Sequence, residues 1–205
     1  MDIVYIPRLG AFYKKSGIVP VIEDLFELKS FNVRNKVVLD IGAYTGDSAI
    51  LFVRQDAVKV YALEPVYDFY ELMLKNIALN RLEHKIIPRN VGVACESGNW
   101  YIQWQIGESG LRFGNYKISV VGINELFDEI YNKEGEFVVK FDCEGCEYSV
   151  LCLSDSRLRY ATEYYIEIHG SATPIANKFI KNSYKMERVD KRNKWWLGIY
   201  RFYKE

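Results

Sequence analysis

The sequence predicts an α/β fold, a doubly wound and mostly parallel sheet that ends in an antiparallel hairpin. Three observations predict it. Short apolar runs of strand length alternate with stretches of helical apolar spacing from Lys36 to Lys181, the pattern of strand–helix–strand units with right-handed crossovers. The run Val37 to Ile41 breaks at once into the turn Gly42-Ala43-Tyr44-Thr45-Gly46. Such a strand–turn–helix corner places a ligand at the carboxyl end of a parallel strand. The last two strand-like stretches, 184–190 and 195–203, flank only Lys191-Arg192-Asn193-Lys194, too short a link for a parallel crossover, so they pair antiparallel at one edge.

The elements follow in order. Residues 1–20 contain Pro7, Gly10, Gly17 and Pro20 and read as irregular, with Tyr5, Phe12 and Tyr13 packing onto the body or covering a cleft. Apolar residues at 21, 22, 25, 26 and 28 predict a short helix over 21–28. Strand 36–41 and helix 48–54 are followed by strand 58–63, which Pro65 ends. Helix 66–79 carries Val66, Phe69, Met73 and Ile77 on one face. A strand region over 85–93 is interrupted by Pro88, and a strand over 100–106 follows the turn Glu96-Ser97-Gly98-Asn99. The glycine-rich stretch 107–115 reads as an exposed loop or as a lid over substrate. Strand 117–121, helix 122–132, strand 136–142, helix 146–153 and strand 164–169 come next. Thr173-Pro174 caps a helix running to Lys181. Residues 1–35 form an N-terminal extension, and 36–205 one domain.

Composition narrows the function. The 205 residues suffice for one sizeable core. Lys plus Arg and Asp plus Glu are both 27, so no net charge attracts nucleic acid or an anionic membrane. The chain does not open on a basic-then-apolar leader, and no apolar run approaches the roughly 18 residues that cross a bilayer. A cytoplasmic protein is expected. Cys95, Cys143, Cys146 and Cys152 are expected as small buried hydrophobes. Cys143-x-x-Cys146 could also be half a zinc site or a redox pair, but no second such pair exists and the only histidines are His84 and His169. No metal is expected.

Polar residues stand at four strand ends: Asp40, Glu64, Asp142 and the pair Glu167 and His169. These ends should converge on one rim. Gly42 and Gly46 let backbone approach a ligand without a Cβ in the way. Their spacing is not the Gly-x-Gly-x-x-Gly of a dinucleotide site, which disfavours an NAD-dependent oxidoreductase. Glu64 can accept both ribose hydroxyls of a nucleoside, or serve as a capping carboxylate. Asn90 can take an adenine amino group, with Val91 as its apolar neighbour, or serve a local turn. In Lys140-Phe141-Asp142-Cys143-Glu144-Gly145-Cys146-Glu147, Asp142 and Glu144 should edge a pocket. Glu147 should sit in the first turn of a helix, where its charge suits the dipole.

These blocks resemble the FkbM family of S-adenosylmethionine-dependent methyltransferases. Val38 to Gly46 resembles the family's first motif. Val60 to Pro65, with Asn76 and Asn80, resembles its second, and Val139 to Glu147 its Lys-Ile-Asp-Val-Glu-Gly-x-Glu signature. Tyr165 to His169 resembles its late Glu-x-His strand. Tyr44 departs from the usual asparagine, Asn124 from an aspartate, and Cys143 and Cys146 from small or aliphatic residues. The resemblance, over roughly residues 36–170, implies a Rossmann-like class I fold with seven strands. It implies S-adenosylmethionine held by Asp40, Gly42, Ala43, Tyr44, Gly46, Glu64, Pro65, Asn90, Val91 and Asp142. It implies O-methylation of a hydroxyl on a sugar or other small molecule. That chemistry needs a general base, first His169, then Glu167 and Asp142, with Glu144 positioning the acceptor. Tyr44 or Trp104 could face the sulfonium. Two other readings stand. One is an RNA methyltransferase that uses Lys178, Lys181, Lys185, Arg188, Lys191, Arg192 and Lys194 beside Trp195 and Trp196. The other is a non-catalytic nucleoside-binding module or partner subunit, indifferent to Glu144 and His169.

Overall fold

A computed structural model describes residues 2–6, 9–14, 28–103, 114–190 and 197–204. The helix expected over 21–28 lies outside them but for Leu28, and so do Trp104, most of the 107–115 loop, Lys191 to Lys194, Trp195 and Trp196. The centre is a seven-stranded sheet. Its strands are β3 (Val37–Ile41), β4 (Lys59–Leu63), β5 (Ile86–Arg89), β9 (Phe137–Phe141), β10 (Ala161–His169), β11 (Lys185–Arg188) and β12 (Leu197–Tyr203). Their order is β11-β12-β10-β9-β3-β4-β5. From β5 to β10 neighbours are parallel, and β12 runs antiparallel to both β10 and β11. The antiparallel hairpin is therefore at one edge, as its short connection requires, with the later strand turned inward.

Every residue of β3 and β9 is buried, because parallel strands with helices on both faces see no water. Alternation along β3 splits the core. Val38, with Val60 and Val138, packs with Phe52, Met73 and Phe31 on one side. Leu39 and Ile41, with Val139 and Phe141, pack with Leu126, Phe127 and Phe179 on the other. The helices are α1 (Asp47–Arg54), α2 (Tyr67–Leu79), α3 (Ile123–Glu134), α4 (Asp155–Leu158) and α5 (Thr173–Lys181).

Four expectations need correction. The described part of the N-terminal segment is not irregular: β1 (Asp2–Ile6) and β2 (Gly10–Lys14) pair antiparallel. Phe12 is buried as expected, but Tyr5 is exposed. The hairpin is fixed to α2, where the Tyr13 amide donates to Asn76 Oδ1 at 2.7 Å and Asn80 Nδ2 donates to the Ala11 carbonyl at 2.7 Å. Second, the 85–93 region is two strands in two sheets. After β5 the chain leaves for β6 (Gly92–Ala94), which joins β7 (Gly98–Ile102) and β8 (Tyr116–Gly122) in a small sheet of order β6-β8-β7. Third, the expected helix at 146–153 is a 3-10 helix, Cys146–Cys152.

Fourth, the cysteines are not free thiols buried as small hydrophobes, although Cys143 and Cys146 do pack against the core. Cys143 is disulfide-bonded to Cys146, and Cys95, in the turn between β6 and β7, to Cys152. The 3-10 helix begins at one bonded cysteine and ends at another, so both its ends are cross-linked. Among the described residues no helix is long and apolar enough to cross a membrane.

Candidate active site

The glycine turn sits on the carboxyl end of β3, between β4 and β9. The Gly42 and Ala43 amides both donate to the Leu63 carbonyl, at 3.0 and 2.9 Å. Gly42 has φ +80°, and a Cβ there would stand 1.8 Å from the Asp142 carbonyl oxygen. Only glycine fits this crossing of two loops. Gly46, at φ +84°, opens α1. Asn76 Nδ2 donates to the Thr45 carbonyl at 2.8 Å, so one buried amide joins the turn to α2 and, through its oxygen, to the N-terminal hairpin.

Glu64 lies where β4 ends. Its Oε2 accepts the Tyr44 amide at 3.0 Å and its Oε1 the Val66 amide at 2.8 Å. Burial pushes its carboxyl up to about 8, outweighing those two N–H groups and the more distant Lys140. Asn90 Nδ2 donates to the Glu64 and Pro65 carbonyls at 2.9 and 3.1 Å, so this amide nitrogen pins the turn after β4. Beside these residues is a recess walled by Gly42, Pro65, Val91, Trp100, Cys143 and Cys146 among others. Of the ten expected cofactor residues, Gly42, Pro65 and Val91 line it, whereas Asp40, Ala43, Tyr44, Gly46, Glu64, Asn90 and Asp142 do not. Ala43 is wholly buried, Tyr44 packs its ring against Phe69 at 4.5 Å, and Asp40 is fully buried.

Asp40 explains a residue that sequence reasoning missed. Its Oδ2 accepts the Ser48 hydroxyl at 2.6 Å, and its Oδ1 lies 3.1 Å from Lys140 Nζ. The same ammonium donates to the Gly42 carbonyl at 2.8 Å and lies 3.7 Å from Asp142. Burial alone would lower the Lys140 pKa, but Asp40 and Asp142 raise it above the ordinary value. The signal was present: a lysine inside the apolar strand Phe137-Val138-Val139-Lys140-Phe141 must be paired to be buried.

Across β3 from Glu64, the ends of β9 and β10 bring together Asp142, Glu167 and His169. One donor atom from each lies within 4.8 Å of the others, close enough to share a cation. His169 Nε2 is 3.6 Å from Glu144, and Nδ1 is 3.4 Å from Glu147. Glu147 does more than face a helix dipole. It is fully buried, and its oxygens accept the Gly145 amide at 2.6 Å and the His169 amide at 2.8 Å, tying the acidic loop to β10. Burial alone would lower the His169 pKa, but Glu147, Glu144 and Glu167 together push it up to about 9. These carboxylates favour the protonated imidazole.

The model of the FkbM methyltransferase domain matches residues 40–189. This chain belongs to the FkbM methyltransferase family. As an FkbM methyltransferase it takes its methyl group from S-adenosylmethionine. A search of curated proteins finds no match.

Solved structures share the fold. A precorrin-6y C5,15-methyltransferase from Geobacter metallireducens is 12% identical, with 95% of this chain and 94% of that one covered at a TM-score of 0.56. TrmK of M. capricolum, in complex with S-adenosylhomocysteine, is 13% identical, with 91% and 69% covered at 0.56. A ribosomal protein L11 methylase from Lactobacillus delbrueckii is 14% identical, with 88% and 77% covered at 0.51.

The residues present fit the FkbM cofactor. Each Glu64 oxygen takes one backbone N–H and has a second lone pair, enough for two hydroxyl donors. The recess beside it is apolar where a planar base would lie, at Pro65, Val91 and Val93.

Proposed function

We propose that this FkbM methyltransferase methylates a hydroxyl on a small, sugar-like molecule. The observation that carries the reading is the pairing of two unlike poles on one rim. Glu64 and the apolar recess stand at the ends of β3 and β4, and Asp142, Glu144, Glu167 and His169 at the ends of β9 and β10. In this reading Glu64 holds the ribose hydroxyls, Pro65 and Val91 flank the base, and Gly42 brings backbone close. S-adenosylmethionine supplies a methyl group that is already electrophilic. The chain's own task is to hold the acceptor oxygen in line at near-attack distance and to take its proton.

We assign the proton to Asp142 in preference to His169. Protonated His169 has nothing to accept with. Asp142 is more open than Glu167, with its side chain 30% exposed, and has the Lys140 cation beside it. Glu144, 41% exposed, is placed to bind further acceptor hydroxyls. The RNA reading has less support, because three of the described residues of the basic face are engaged within the chain. Lys178 donates to the Leu153 carbonyl at 2.6 Å, Lys181 lies 3.7 Å from Asp155, and Arg188 pairs with Asp190 at 2.8 Å. The cytoplasmic location expected from the sequence is not part of this proposal: disulfides persist in oxidising compartments, and two cross-link this chain.

The test is transfer of labelled methyl from S-adenosylmethionine to a panel of sugars and small alcohols and to bulk tRNA, with wild type and Asp142→Asn. Small hydroxyl compounds should be methylated, and the substitution should lower kcat by about 100-fold or more. A rate that climbs until about pH 9 would return the base role to His169, and methylation of tRNA alone would overturn the acceptor class.

A further inference from the structure

We propose that Cys143–Cys146 is a reversible redox site that controls the shape of the acceptor pole and exchanges with a small dithiol through the recess. The proposal rests on the methyltransferase reading of that rim. Cys143 and Cys146 are half-buried and both line the recess, so a small reductant that enters the recess meets the bond. Cys95 and Cys152 are exposed, and their bond lies outside it.

The Cys143–Cys146 bond closes around Glu144 and Gly145, whose φ angles are +55° and +121°. A non-glycine residue pays for left-handed backbone, and the cross-link helps to hold Glu144 there. That conformation sets Glu144 3.6 Å from His169 Nε2, while the Gly145 amide reaches Glu147. The link also backs the other pole, since a Cβ on Gly42 would stand 3.1 Å from Cys143 Cβ. The turn between the cysteines is thus in contact with both halves of the site. Because the loop it closes is short, this bond adds less to the fold than the 57-residue link between Cys95 and Cys152. It can break while the domain stays folded.

The chemistry is thiol–disulfide exchange. A thiolate of the dithiol attacks one sulfur of the pair, and a mixed disulfide forms as the Cys143–Cys146 bond breaks. The second thiol of the reductant then displaces the remaining cysteine. Two electrons and two protons pass to Cys143 and Cys146, and the reductant leaves as its own disulfide. In the reduced protein Glu144 relaxes from its left-handed conformation and moves away from His169.

The experiment uses the full chain carrying Cys95→Ser and Cys152→Ser, with the wild type in parallel in case that variant does not fold. Each is equilibrated across mixtures of reduced and oxidised dithiothreitol. Free thiols are trapped by alkylation and located by mass spectrometry. S-adenosylhomocysteine affinity is measured by calorimetry, and the His169 ring protons are followed by NMR with His84 as the reference. The expected result is a single transition at Cys143 and Cys146, with at least threefold weaker binding in the reduced form. His169 should move at the same midpoint while His84 stays, and Cys143→Ser with Cys146→Ser should reproduce the reduced protein. A pair that yields only on unfolding, or equal affinity in both redox states, overturns the proposal. A protein that binds no S-adenosylhomocysteine in either state defeats the cofactor reading instead. His169 then decides: movement at the transition supports the redox site, and its absence overturns it.

Discussion

Glu64 carries a charge problem that cofactor binding would resolve. Its carboxyl is pushed up from an ordinary 4.5 to about 8 by burial. The folded free protein therefore holds this proton more tightly than the unfolded chain does, and its stability falls as pH rises between those two values. Hydroxyl donors favour the ionised form. Binding at pH 7 should then release close to one proton, and affinity should rise with pH up to about 8. Calorimetry in buffers of different ionisation enthalpy reads both, and Glu64→Gln should abolish the release. Identical enthalpies in phosphate and Tris would remove Glu64 from the ribose contact. The place of Glu64 was legible in the sequence, as a carboxylate where a strand ends, one strand after a glycine turn. The fate of His169 was not legible. Its proton affinity depends on Glu147 and Glu144, which reach it from a different loop at distances that only the fold sets.

The loops between elements follow steric rules that two glycines separate. Gly135, which ends α3, has φ +79° and open space around its absent Cβ, whereas Gly42 at φ +80° would drive a Cβ into backbone. Gly135→Ala should cost only the strain of a backbone conformation that glycine alone adopts readily, about 1–3 kcal/mol. Gly42→Ala must also displace Asp142 and should cost about 3–5 kcal/mol and abolish S-adenosylhomocysteine binding; urea unfolding midpoints compare the two. Equal losses would mean that the loop crossing at Gly42 has room to yield. Elements with strong periodicity, such as α2 and α3, were read to within a residue or two, because the core they face imposes that period. The hairpin of β1 and β2 and the departure of β6 into its own sheet were not read. Strands as short as β6 carry no period to detect, and its partner β8 follows some twenty residues later.

At the scale of the molecule the two disulfides divide the work. In the chain-entropy picture the Cys95–Cys152 link, closing 57 residues, contributes about 4 kcal/mol, and the Cys143–Cys146 link about 2 kcal/mol. Cys95→Ser with Cys152→Ser should lower the unfolding midpoint more than Cys143→Ser with Cys146→Ser. The opposite order would mean that the acidic loop, not the tie to the small sheet, holds the fold. The sheet order has its own consequence for synthesis. Among its strands β11 hydrogen-bonds only with β12, and β12 fills the space beside β10. On a ribosome β10 and β11 emerge first, and the outer edge of β10 stays bare until residues 197–203 follow. A bare edge is a row of unpaired N–H and C=O groups that invites other strands. A nascent chain stalled before Leu197 would thus be a substrate for chaperones, and the sheet closes only after β12 has cleared the exit tunnel.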